Sequence, residues 1–118
     1  MNVELFLQNN DNLLPRNEVK IESVAADPYP DRQRIKISVQ VTPFRERPNL
    51  EIVIRDSDGS RVAGTSVIES MVFNMEFVLH LRNVADPAGN YTIQVLLYYD
   101  TIEEPQDTHT ADLHISAT

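Results

Sequence analysis

Along most of this chain hydrophobic and polar residues alternate with a period of two, in short segments punctuated by Pro, Gly, Asn and Asp. That pattern predicts β-strands with one buried face. In RIKISVQV, Ile35, Ile37, Val39 and Val41 share a side, opposite Arg34, Lys36, Ser38 and Gln40. FNMEFVLHLR puts Phe73, Met75, Phe77, Leu79 and Leu81 on one face, and GNYTIQVLLYYD does the same with Tyr91, Ile93, Val95, Leu97 and Tyr99. TADLHIS places Ala111, Leu113 and Ile115 together, and NLEIVIRD places Leu50, Ile52 and Ile54 together. With the weaker segments EVKIESV and RVAGTSVIES, about seven strands result, at spacings that suit an all-β antiparallel sandwich.

Punctuation agrees with periodicity. Pro28, Pro30, Pro43, Pro48, Pro87 and Pro105 all fall between the expected strands, where a missing amide hydrogen does no harm. Almost nothing reads as helix. Residues 1–17 stand apart as an N-terminal extension before a sandwich spanning 18–118. Within the extension VELFLQ, with Val3, Leu5 and Leu7 on one side, suits an additional edge strand or an arm exchanged with a second copy to make a homodimer.

Composition narrows the function classes. At 118 residues the chain is the size of one domain. Its 42% hydrophobic and 24% charged residues are those of a globular protein, not a disordered one. Ten Lys and Arg against 18 Asp and Glu leave a formal charge of -8, which opposes contact with nucleic acid or anionic lipid in the absence of a basic patch. Cysteine is absent, excluding disulfides, thiolate metal sites and a cysteine nucleophile. MNVELFLQNN lacks the basic and apolar regions of a leader, and no run approaches a membrane span, so the expectation is a cytoplasmic protein without a membrane partner.

The stretch ADPAGNYTIQV carries a resemblance. A Pro and Gly corner followed by Tyr91, two residues ahead of the core residue Ile93, resembles the entry to strand F of immunoglobulin-like and fibronectin type III-like domains. There a tyrosine hydroxyl bonds back to the preceding corner. The resemblance covers residues 18–118 and implies an immunoglobulin-like strand order. The chain departs from antibody domains in having no Trp for strand C and no Cys pair, with Ile93 where the second Cys would stand. Such a superfold hosts many roles and selects none.

Candidate chemistry is sparse. In IRDSDGSR two aspartates precede Gly59, but setting Gly59 at the sixth place of a calcium loop puts Ile54 first and Thr65 twelfth, neither of which is a carboxylate. A strand end, a DSDG turn and a new strand account for it better. A second route to calcium comes from topology. An immunoglobulin-like order gathers Asp27, Asp31, Asp56, Asp58 and Asp86 at one end of the sandwich, where convergent carboxylates would suit a hard cation. ADPYPD shares only three residues with the DPY of calcium- and lipid-binding C2 domains, with Tyr29 held between two prolines. His80 and His114 point outward by parity and His109 sits at the mouth of the core, at no metal-ligand spacing. There is no G-x-S-x-G elbow, and the adjacent Glu103 and Glu104 are not the facing carboxylates of glycoside chemistry. No catalytic residue, cofactor or enzymatic activity is expected.

Two surfaces remain. On the outer face of strands C, F and G, the outward parity of Val53, Leu96 and Tyr98 predicts a partly apolar patch bordered by Arg55, Asp112 and His114. At the far end, an acidic loop with Asp100, Glu103, Glu104 and Asp107 is expected beside Arg45 and Arg47, with Phe44 or Ile102 as an apolar anchor. The sequence therefore reads as a noncatalytic protein–protein interaction or assembly module, with a protein partner or a second copy of itself. The alternative is a calcium-dependent binding module using the Asp-rich end.

Overall fold

A computed structural model describes residues 13–117. After a short 3-10 turn at Arg16–Glu18, seven strands follow: β1 (Ile21–Pro28), β2 (Arg34–Val41), β3 (Asn49–Arg55), β4 (Arg61–Val67), β5 (Asn74–His80), β6 (Gly89–Tyr98) and β7 (Asp107–Ile115). They pair into two antiparallel sheets, one ordered β1-β2-β5 and the other β4-β3-β6-β7. The fold is a β-sandwich, as the alternation predicts.

Registers follow the hydrophobic parity. Ile37 lies opposite Phe77 across β2 and β5, and Ile54 opposite Ile93 across β3 and β6. Ile35, Ile37, Val39, Leu50, Ile52, Ile54, Ile93, Val95 and Leu97 are at most 2% exposed and form the core between the sheets. A one-residue slip in any central strand would turn such residues outward, each at about 1.5–3 kcal/mol, so the register is strongly specified.

Three boundaries differ from the sequence reading. β1 starts at Ile21 and runs on to Pro28, which pairs with Ile35. Proline is accepted here because β1 is an edge strand. β4 ends at Val67 instead of continuing to Ser70, leaving residues 68–73 as a loop. β7 begins earlier, at Asp107, opposite Leu97. A bulge in β4 also breaks the alternation. The register shifts where Arg55 meets Arg61, and both Val62 and Ala63 enter the core.

The antiparallel order sorts the loops into two ends. Residues 29–33, 56–60 and 81–88 and the C-terminal segment lie at one end; residues 13–20, 42–48, 68–73 and 99–106 lie at the other. Of the N-terminal extension, residues 13–17 are described and pack on the sandwich. Leu14 forms a parallel bridge with Phe44, donating its N–H to Pro43 and accepting from the Arg45 N–H. The strand or exchanged arm expected at VELFLQ lies outside the described residues. No helix among them is long and apolar enough to cross a membrane.

Candidate functional site

At the first end the carboxylates of Asp31, Asp56 and Asp86 hold their own turns. Asp56 Oδ1 accepts the N–H groups of Asp58 and Ser60, and Gly59 takes φ 85° to close the turn. IRDSDGSR is thus a corner. Asp86 accepts the Ala88 N–H. Asp31 accepts the N–H groups of Gln33 and Arg34 while the Arg34 Nε donates to its other oxygen at 2.6 Å. The Arg34 side chain first, then these two amides, hold the Asp31 carboxyl down to about 2. Asp27 sits in β1 opposite Lys36, and Asp58 is exposed. Among the described residues no three His, Asp or Glu side chains are grouped to hold a metal ion.

Tyr91 anchors this end from beneath. Its ring is 5% exposed and its hydroxyl donates to the Pro87 carbonyl at 2.7 Å. Burial first, then the charges of Asp56 and Asp86, push the phenol pKa up. On the adjoining outer face Asn90 Oδ1 lies 2.8 Å from His114 Nδ1. Asp112 stands two residues earlier in β7, opposite Thr92.

Of the apolar residues expected on that face, Leu96 and Tyr98 are partly exposed and Val53 is covered. Val53 has the predicted outward parity but is only 4% exposed. Its partner in register is Gly64, and the Arg61 side chain arcs across that glycine toward Glu51, 3.8 Å away. Any Cβ at Gly64 would collide with the Arg61 guanidinium. Leu96 remains partly exposed between Glu51 and Thr108, and Tyr98 lies opposite Asn49. Gln94, Thr108 and Thr110 share that face and make the rest of it polar.

At the second end the two expected loops are neighbours, but a different arginine joins them. Arg16 pairs with Glu46 and reaches Asp100 at 2.8 Å, while its guanidinium stacks 4.7 Å from the Tyr99 ring centre. The Tyr99 hydroxyl donates to the Glu46 carbonyl at 3.2 Å. Burial, and secondarily the Glu46 charge, push that phenol up to about 12. Glu103 accepts from the Thr101 hydroxyl, which lowers its pKa. Asp107 turns inward to accept the Ile21 N–H at 2.8 Å, tying β7 to β1. Of the four acidic residues, Asp100, Glu103 and Glu104 face solvent. Phe44 is no anchor: it is 6% exposed, edge-on to Phe73 with ring centres 4.7 Å apart. Ile102 is 37% exposed.

What sequence reasoning missed lies in the β4–β5 loop at this same end. Ile68, Met71 and Val72 are 66%, 75% and 53% exposed. The loop is tied down beneath them. Ser70 turns inward at 3% exposure, its N–H bonded to the Pro48 carbonyl and its hydroxyl donating to the Val72 carbonyl. Glu69, at φ 51°, donates its N–H to Asn49 Oδ1, and the same Asn49 amide donates to the Tyr99 carbonyl. The available signal was IESMVF, an apolar-rich run that keeps no two-residue alternation.

No protein-family model matches the chain, and no curated protein matches it in sequence. Solved structures do. A β-glucuronidase of Bifidobacterium dentium, complexed with coumarin-3-O-glucuronide, superposes with a TM-score of 0.62 at 17% identity, over 82% of this chain and 18% of that one. A β-glucuronidase from Ruminococcus gnavus gives 0.56 at 19% identity, over 83% and 16%. A glycosyl hydrolase family 2 member from Bacteroides cellulosilyticus gives 0.57 at 17%, over 82% and 15%. The chain therefore spans about one sixth of the length of these neighbours, and at such identities the likeness is one of fold: a β-sandwich that recurs as one part of larger glycosidases.

Proposed function

We propose that this chain is a noncatalytic β-sandwich module of immunoglobulin-like order that works by binding another protein. The order is supported by the three-plus-four arrangement of strands and by the Tyr91 bond to Pro87, the corner contact typical of such domains. The binding role rests on one observation. Ile68, Met71 and Val72 project from a loop whose backbone is pinned at Pro48, Asn49 and Ser70. Large apolar side chains held away from an available core suit a contact made with something else. The Asp56 and Asp86 carboxylates already hold turns, which supports the noncatalytic part.

Fluorescence-detected sedimentation tests the reading. In buffer the labelled chain should sediment as the 13.4 kDa species, and in extract of its source cells as a larger complex. The same small species in both would overturn the binding role. Release of p-nitrophenol from a p-nitrophenyl β-glucuronide by the purified chain would overturn the noncatalytic part.

A further inference from the structure

We infer that β5 is a self-association edge: two copies pair their β5 strands antiparallel about a two-fold axis at Val78, joining the two three-stranded sheets into one. Both the surface and the occupant differ from those of the binding role above. The Val41 N–H bonds to the Phe73 carbonyl and the Leu81 N–H to the Gln33 carbonyl, and β2 and β5 pair without a shift between those points. Odd-numbered residues of β5 therefore turn their N–H and C=O toward β2, while Asn74, Glu76, Val78 and His80 turn theirs to the outer edge. Just beyond, the Arg82 N–H on that same side is taken by the Val62 carbonyl.

The other edges are guarded. β1 carries Pro28, β4 carries its bulge and the Arg61 side chain, and β7 is tied to β1 through Asp107. β5 has neither proline nor bulge, and Ala63 and Gly64 of β4 leave a groove of about 140 Å³ beside Val78, Leu79, His80 and Arg82.

A second copy fits this edge because the strand complements itself. The unpaired groups are satisfied when even-numbered residues face even-numbered ones. With Val78 facing Val78, two side chains that are each 46% exposed cover one another. Glu76 then lies opposite His80 of the second copy, where carboxylate and imidazole can bond, and each of these pairs exchanges both backbone bonds. Centring the axis on Phe77 would set Glu76 against Val78, and centring it on Glu76 would bring two carboxylates together. The neighbouring cations allow the Val78 register. Arg34 stands behind His80, and Lys36 stands behind Val78 with Asp27 on its other side. The two Lys36 residues would be three strand spacings apart, about 14 Å, which exceeds the Debye length of ~8 Å. A strand-edge contact is small and therefore weak, so at trace concentration the chain remains the 13.4 kDa species.

Sedimentation equilibrium of the full chain, from trace amounts to roughly 1 mM, tests this pairing. The mass should climb from 13.4 kDa toward twice that value. Val78→Lys sets two ammonium groups face to face and should weaken association about tenfold or more, with the urea midpoint at trace concentration unchanged. The chain has no cysteine, so single replacements report the register. On oxidation Val78→Cys should give a disulfide-linked dimer and Glu76→Cys should not, because Cα atoms at the self-paired position lie about 5.5 Å apart. A chain that stays monomeric at the highest concentration would overturn the pairing, as would association that Val78→Lys leaves intact. Cross-linking through Glu76→Cys in place of Val78→Cys would overturn the register. Association lost with Met71→Glu but not with Val78→Lys would move the contact to the 68–72 loop and leave β5 without this role. The binding role fails separately, on the absence of a larger complex in extract.

Discussion

The Tyr91 hydroxyl donates to the Pro87 carbonyl four residues earlier, at 2.7 Å, so that a buried side chain of β6 closes the loop that leads into its own strand. Replacing it with Phe keeps the ring in the core and leaves the carbonyl without this partner. Tyr91→Phe should lower stability by roughly 1–2 kcal/mol, and Tyr91→Ala by ~3–5 kcal/mol as the ring is lost too. Urea unfolding measures both as a lower midpoint at unchanged slope. A neutral Phe variant would show that ring packing alone holds the corner.

Asn49 joins two loops through one side chain, accepting the Glu69 N–H and donating to the Tyr99 carbonyl. Asn49→Ala should cost about 1 kcal/mol and speed amide exchange at Glu69 and Ser70. Asn49→Asp keeps the acceptor and loses the donor, so it should retain protection at Glu69 while loosening the Tyr99 side. Equal acceleration in both variants would mean that Pro48 and Ser70, not Asn49, fix the loop.

The parts of this molecule legible in its sequence were those governed by a two-residue period. Ile35 to Val41 and Tyr91 to Leu97 alternate cleanly and pair in the registers their apolar faces require. Residues whose surroundings come from elsewhere in the chain were not legible. Val53 has outward parity yet is covered, because Gly64 opposite it lets the Arg61 side chain lie across the sheet. Phe44 stands in a charged loop yet is buried, because Leu14 and Phe73 meet it from distant segments. Arg16 joins Glu46 and Asp100 across 30 and 84 residues of sequence, a relation no local pattern encodes. The segment RVAGTSVIES suggests a strand reaching Ser70; the strand ends at Val67 instead, and Glu69 just beyond it takes a left-handed φ of 51°.

Asp31 gives the fold a defined acid sensitivity. Its carboxyl stands at about 2 when folded against an ordinary value of 3.8, held down chiefly by the Arg34 side chain. A depressed folded pKa contributes stability that is fully present above the unfolded value and is lost as pH falls toward the folded one. Between about pH 4 and 2 the wild type should lose stability more steeply than Asp31→Asn, and above pH 5 the variant should be the less stable of the two. Urea midpoints measured across that range decide it, and parallel curves would show that Asp31 is not ion-paired in solution.

Tyr99 produces the opposite dependence at the other end of the sandwich. Burial, with the Glu46 charge beside it, raises the phenol from 10.0 to about 12. The folded state then keeps a proton that the unfolded chain releases, so this contribution is complete below pH 10 and disappears as pH rises toward 12. Tyr99→Phe should flatten the alkaline part of the stability curve relative to wild type. The variant also loses the hydroxyl bond to the Glu46 carbonyl but keeps a ring for Arg16 to stack on. Arg16→Ala removes the stack and both ion pairs, so amides bonded across the 13–17 segment, those of Leu14 and Arg45, should exchange faster in that variant than in Tyr99→Phe. If Arg16→Ala leaves those amides as protected as in wild type, the Leu14 bridge to Phe44 holds the segment by itself, and the arginine serves only to offset the charge of Glu46 and Asp100.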